Sequence, residues 1–305
     1  MRASPWGPLP VRDAHVHFFS RRFFDLLANQ KGERVDQFDD AAVAAGFELP
    51  PPTPEELAQR WVQEIDSHGV DCAALIASLP GDEDSVTGAI RAFPSRFRGY
   101  FITNPTVNAA LDRAEVAFTN GMHGVCFFPA MHGYSMADDS VEAIVEAAEA
   151  QRAVVFVHCG ILSVGIRAKL GMASRFDLRY SNPIDVHAIA LRHPNVAFVI
   201  PHFGAGYLRE TLMLASLCPN VYIDTSSSNR WMRFESLDLA TVLRRTLDVV
   251  GPTRLLFGSD SSFFPRGWVG QVYEDQANAL YNLGISESDA RKIFADNFSR
   301  LFDHA

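Results

Sequence analysis

VRDAHVHFF, residues 11–19, is the stretch whose reading decides the architecture. It is apolar enough for a buried strand, yet it carries two histidines two positions apart. Side chains alternate along a strand, so His15 and His17 point one way and Val16 the other. A doubly wound open sheet usually announces a glycine-rich phosphate turn after its first strand; here that strand ends in His-Val-His-Phe-Phe. The later HFGAG (202–206) is too short for a dinucleotide fingerprint.

Seven more apolar runs follow outward from this one: VDCAALIAS (70–78), FRGYFITNP (97–105), GVCFFPAM (124–131), AVVFVHCG (153–160), NVAFVIPHFG (195–204), NVYIDTSS (220–227) and RLLFGSD (254–260). Each is nearly continuous, as strands buried on both faces are. Helical patterns separate them. In one, Thr53 is the expected N-cap, Pro54 takes the first helical position and Glu56 completes a capping box. Leu57, Trp61 and Ile65 then recur at helical spacing until Gly69. Another is VEAIVEAAEAQ (141–151). Eight strands with intervening helices predict an α/β fold, a (β/α)8 TIM barrel, as a single domain over residues 1–305. Two connections exceed ordinary barrel loops, 20–52 after the first strand and 161–181 after the fifth. Both leave the carboxyl ends of strands, where long loops often serve as substrate lids.

Composition bounds the partners. The chain has 305 residues, 48% hydrophobic and 21% charged, with net charge −9. An acidic balance argues against nucleic acid or an anionic membrane as the main partner, while a few local arginines still decide whether an anionic small molecule binds. Cys72, Cys126, Cys159 and Cys218 are scattered, which fits reduced thiols rather than a disulfide framework. With no long apolar run and no signal core, a cytoplasmic protein with no membrane segment is expected, and a homodimer is allowed.

The chemistry lies at the strand ends. His158 ends the fifth strand, His202 the sixth and Asp260 the eighth. In a barrel these ends share one rim with His15 and His17. Singly, each histidine reads as a satisfied core residue; together, five such groups converging on one rim point to a metal.

The same five residues resemble the amidohydrolase superfamily, most closely its amidohydrolase-2 group, which includes aminocarboxymuconate semialdehyde decarboxylase. The resemblance runs from DAHVHFF to the terminal KIFADNFSRLF. By position it implies His15, His17, His158 and Asp260 as ligands, with His202 beside the metal as a catalytic or water-orienting residue. Many binuclear relatives carry a bridging carbamylated lysine on strand four. The lysines here are Lys31, Lys169 and Lys292, and strand four offers Cys126, read as a buried thiol. One divalent ion is therefore expected, zinc first and manganese as the alternative.

Such a shell suits metal-activated water attacking an amide, lactone or ester, with Asp260 moving the proton and His202 polarising a carbonyl. It equally suits nonoxidative decarboxylation of a small unsaturated or aromatic acid. A barrel that has lost catalysis and only binds is the third reading, disfavoured by the intact five-residue set. The substrate is expected to be a small anion. Arg167, Arg175 and Arg179 follow strand five, Arg230 and Trp231 follow strand seven, and Arg266 and Trp268 follow strand eight. Guanidinium groups grip carboxylates, and indoles offer stacking faces. One or two of the five arginines are expected to touch substrate. Asp13 and Asp224 are expected to support ligands rather than bind the ion.

Overall fold

In the computed structural model, which describes residues 1–162, 164–174, 176–226 and 229–303, the eight predicted strands all form. They are β1 (Arg12–Phe18), β2 (Cys72–Ala77), β3 (Phe97–Thr103), β4 (Gly124–Phe127), β5 (Val154–Val157), β6 (Phe198–Ile200), β7 (Val221–Asp224) and β8 (Leu255–Leu256). They pair in parallel in sequence order. The ring closes between β8 and β1, where Ala14 N donates to Phe257 O, Asp260 N to His15 O and His17 N to Ser261 O at 2.8–3.0 Å. This is the (β/α)8 barrel.

The apolar residues sort into three packings. One face of the strands and the surrounding helices form the outer layer, with Val16, Phe18, Leu75, Phe101, Val155 and Ile223 among them. The barrel interior holds Ala14, Ile76, Tyr100, Cys126, Phe156 and Leu256, with Phe298, Leu301 and Phe302 of the C-terminal helix packed against them. The register of β1 shifts between Asp13 and Val16. Such a bulge re-aims side chains. Here it keeps Ala14 in the interior while Val16 turns outward.

The third packing was not anticipated. The connection after β1 is not a loop but two helices, α1 (Arg21–Lys31) and α2 (Val35–Ala44), and the connection after β5 contains a short helix, Gly165–Lys169. Phe23, Phe24, Leu27, Phe38 and Phe47 from the first pack with Ile166, Leu170 and Met172 from the second in a separate apolar cluster. The next helix, α3 (Pro54–Ser67), starts as predicted: Thr53 Oγ1 accepts from Glu56 N, and Glu56 accepts from Thr53 N. Among the described residues, no helix is long and apolar enough to cross a membrane.

Candidate metal centre

β1 presents His15 and His17, and β8 brings Asp260 beside them. His15 Nε2 lies 3.4 Å from His17 Nε2. The Asp260 Oδ1 atom is 3.6 Å from the first and 3.5 Å from the second. Among the described residues these three form a group able to share one ion.

The tautomers follow from the partners. His15 Nδ1 is 2.6 Å from Asp224 Oδ2, and a carboxylate only accepts, so Nδ1 carries the proton. Ser78 Oγ donates its hydrogen to Ile76 O, so it accepts from His17 Nδ1 at 2.7 Å. His202 Nδ1 donates to Ser226 O at 3.1 Å. In the neutral rings, the Nε2 atoms of His15 and His17 are then both bare lone pairs, 3.4 Å apart and facing a carboxylate oxygen. With both rings neutral, three electron-rich atoms this close repel one another unless a cation joins them, either a proton on His15, which the nearby carboxylates favour, or a metal ion. Zinc–ligand bonds of about 2.0–2.2 Å imply tetrahedral edges of about 3.3–3.6 Å, the separations found here.

The supporting contacts are dense. Asp224 accepts from His15 Nδ1, Ser226 N and Ser226 Oγ. Ser226 Oγ also lies 3.0 Å from both His15 Nδ1 and His202 Nδ1, which ties the two rings to one anchor. Asp13, fully buried, accepts from His15 N, Ser259 N, Ser259 Oγ and Trp268 Nε1, and so fastens β1 to the segment that carries Asp260. Both aspartates brace the residues around the compact group rather than joining it. Neither Ser78 nor Ser226 stood out in the sequence; Ser78 closes an apolar strand run, and Ser226 sits in the polar stretch that follows β7.

The backbone is bent to suit. Asp260 has φ 58°, and His202, Phe203 and Ala205 have φ 55°, 55° and 44°. Left-handed conformation costs a non-glycine residue about 1–2 kcal/mol, and such strain gathers at functional sites. Gly204 and Gly206 complete the left-handed run. Gly160 docks against it so closely that a Cβ there would meet Gly204 O at 2.2 Å.

Burial, then the positive neighbour His15, drives the His17 imidazole down to about 3. Burial also lowers His158 and His202. Burial thus favours the neutral form of all three rings. Burial opposes protonation of His15 too, but Asp224, aided by Asp260 and Asp13, carries it above its ordinary value.

The other predicted residues divide. His158 and His202 sit at the same rim, their ring centroids 5.4 Å apart, and His202 is 5.0 Å from His15. His158 stacks on Phe128, and its buried Nδ1 has no hydrogen-bond partner among the described residues. It does not join the compact group of His15, His17 and Asp260. Cys126 lies in the barrel interior, its thiol held protonated by burial. Arg266 Nη2 donates to Asp260 O at 2.6 Å, at the edge of the centre. Arg167 is engaged by Gln30 Oε1 and Ala173 O, bridging the two long connections. Arg179 is exposed and paired with Asp177. Arg230 is exposed, and Arg175 lies outside the described residues. Trp231 and Trp268 are each 2% exposed, wall rather than the expected stacking faces, because their rings fill space behind the rim.

A family model described as amidohydrolase matches residues 13–303. The chain belongs to the amidohydrolase family. Among curated proteins, protein fluG of Emericella nidulans is 30% identical over 138 residues, which cover 42% of this chain and 16% of that protein. Solved structures share the fold of this amidohydrolase. The 5-carboxyvanillate decarboxylase LigW from Sphingomonas paucimobilis superposes with a TM-score of 0.67 at 16% identity, covering 98% of this chain and 100% of that one. A probable 2-pyrone-4,6-dicarboxylic acid hydrolase from Acinetobacter baumannii, with citric acid bound, gives 0.60 at 15%, covering 97% and 100%. An amidohydrolase from Burkholderia multivorans with bound zinc gives 0.63 at 13%, covering 97% and 100%.

Proposed function

We propose that residues 1–305 form one metal-dependent hydrolase domain that cleaves an amide, lactone or ester in a small, carboxylate-bearing substrate. The observation that carries this reading is the convergence of two Nε2 atoms and a carboxylate oxygen at 3.4–3.6 Å. His15, His17 and Asp260 would hold one divalent ion, with His158 the fourth side chain at the rim. Zinc suits the nitrogen-rich set and is bound by a relative of the same fold; manganese is the alternative. Such an ion polarises a carbonyl and makes water acidic enough to be a nucleophile near pH 7.

The chain's own groups do the rest. Asp260, about a quarter exposed, has a carboxylate oxygen able to take a proton from water and return it to the leaving group. His202 donates through Nδ1 to Ser226, which leaves Nε2 to accept a proton from water or, once protonated, to stabilise an oxyanion. Asp224 and Ser226 fix the planes of both rings.

Decarboxylation uses the same shell, and the likeness to a carboxyvanillate decarboxylase keeps it as the second reading. A panel of lactones, N-acyl compounds and aromatic acids, assayed with zinc- and manganese-loaded protein for acid and carbon dioxide release, separates the two. Acid without carbon dioxide supports hydrolysis. Carbon dioxide alone overturns it in favour of the lyase.

A further inference from the structure

The mouth of the barrel carries one ring shared by two cations. Phe263, three residues after Asp260, has the Arg266 guanidinium 5.2 Å from its centroid and the Lys169 ammonium 5.3 Å from it. Arg266 comes from the segment after β8, and Lys169 from the short helix after β5. Phe47, from the connection after β1, packs edge-on against Phe263 at 4.6 Å and also lies under Lys169 at 4.9 Å. Three separate connections thus meet at this ring.

Cations in the surrounding lid are mostly committed to carboxylates: Arg21 to Asp25 and Asp39, Lys31 to Glu33, and Arg60 to Glu48. Lys169 and Arg266 differ. Lys169 is exposed and rests on two aromatic faces. Arg266 bonds the carbonyl of Asp260 and the hydroxyl of Ser262. The Asp260 carboxylate Oδ1 faces His15 and His17. The rings hold both cationic heads in place, and among the described residues neither Lys169 nor Arg266 forms an ion pair with a carboxylate.

We infer that Lys169 and Arg266, joined across Phe263, form a subsite for a carboxylate of the substrate that takes no part in the reaction. The substrate class is then a dianion or polyanion, with one group at the metal and a second anchored at the lid. This rests on the metal-site reading above, and it makes Lys169 a residue of specificity rather than of chemistry.

The test uses zinc-loaded protein titrated calorimetrically with two probes, benzoate and benzene-1,3-dicarboxylate. The dicarboxylate should bind at least about tenfold tighter, the worth of one added charge-assisted hydrogen bond. Lys169→Met keeps the aliphatic stem on the rings but removes the charge. It should erase most of that advantage while leaving zinc content and melting temperature unchanged. Lys169→Arg should retain the advantage. Equal affinity of the two probes, binding of neither, or an advantage that survives Lys169→Met overturns the subsite. Repeating the benzoate titration after zinc is stripped tests the metal reading separately: affinity that ignores zinc overturns that reading whatever Lys169 does.

Discussion

Among single residues, metal binding depends on which atom of each imidazole carries the proton. Asp224 fixes that atom for His15, so Asp224→Asn, which can present an N–H in place of a lone pair, should weaken metal affinity about 10–100-fold with the fold intact. Competition with a fluorescent zinc chelator measures it, and unchanged affinity would remove Asp224 from the account. The roles of the rim residues separate in the same way. Asp260→Asn should keep part of its metal and lose turnover. His202→Ala should keep metal near the wild-type level and lose about 10²–10⁴-fold in rate, whereas His158→Ala should lose metal and activity together. A His202 variant that purifies without metal while the His158 variant stays loaded would exchange the two assignments. A different residue makes stability pH-dependent. Asp82 is buried and accepts from Ser20 Oγ at 2.6 Å, and among the described residues its Oδ2 has no hydrogen-bond partner. Burial, opposed by Ser20 and Ser85, raises it from 3.8 to about 7. Between those values the folded state binds the extra proton, so this contribution to stability is whole below 3.8 and is lost as pH rises through about 7. Asp82→Asn should therefore gain in melting temperature relative to wild type between pH 4 and pH 8; a gap that does not change with pH would contradict this.

At the scale of elements, sequence patterning found every strand but overran the carboxyl ends. The fourth run, 124–131, stops as a strand at Phe127, and Pro129–His132 turns helical. The sixth stops at Ile200 because the next residues go left-handed to aim His202. Apolar composition marks what is buried, and it is blind to the point where backbone leaves the ladder to present a side chain. The site shows the same limit. The five rim residues were legible because polar groups stand out against apolar strands, whereas Ser78 and Ser226 look like ordinary serines until the fold brings them to His17 and His15. The long connections were visible by length alone, and their mutual packing was not, because α1, α2 and the 165–169 helix complement one another only in space. That cluster gives its own prediction. Phe38 is fully buried within it, so Phe38→Ala should cost about 3–5 kcal/mol. The cost should fall first on the lid, with hydrogen exchange rising across 21–44 and 165–172 while β2 to β5 stay protected. Uniform loss of protection would show that the lid and barrel unfold as one unit.

At the scale of the whole molecule, the barrel works as a frame that brings residues more than 240 positions apart to one point. The ring closure that joins β8 to β1 is also the step that sets Asp260 against His15 and His17, so closing the fold and assembling the centre are one event. Asp13 reinforces that seam by bonding both β1 and the segment after β8. We propose that this seam holds one divalent ion. Elemental analysis of the purified protein after exhaustive dialysis tests it, beside a His15→Ala, His17→Ala double variant shown by circular dichroism to be folded. One zinc or manganese ion per chain is expected in the wild type and essentially none in the variant. A folded wild type that cannot be loaded with metal, two tightly held ions per chain, or a variant that keeps its ion would contradict it.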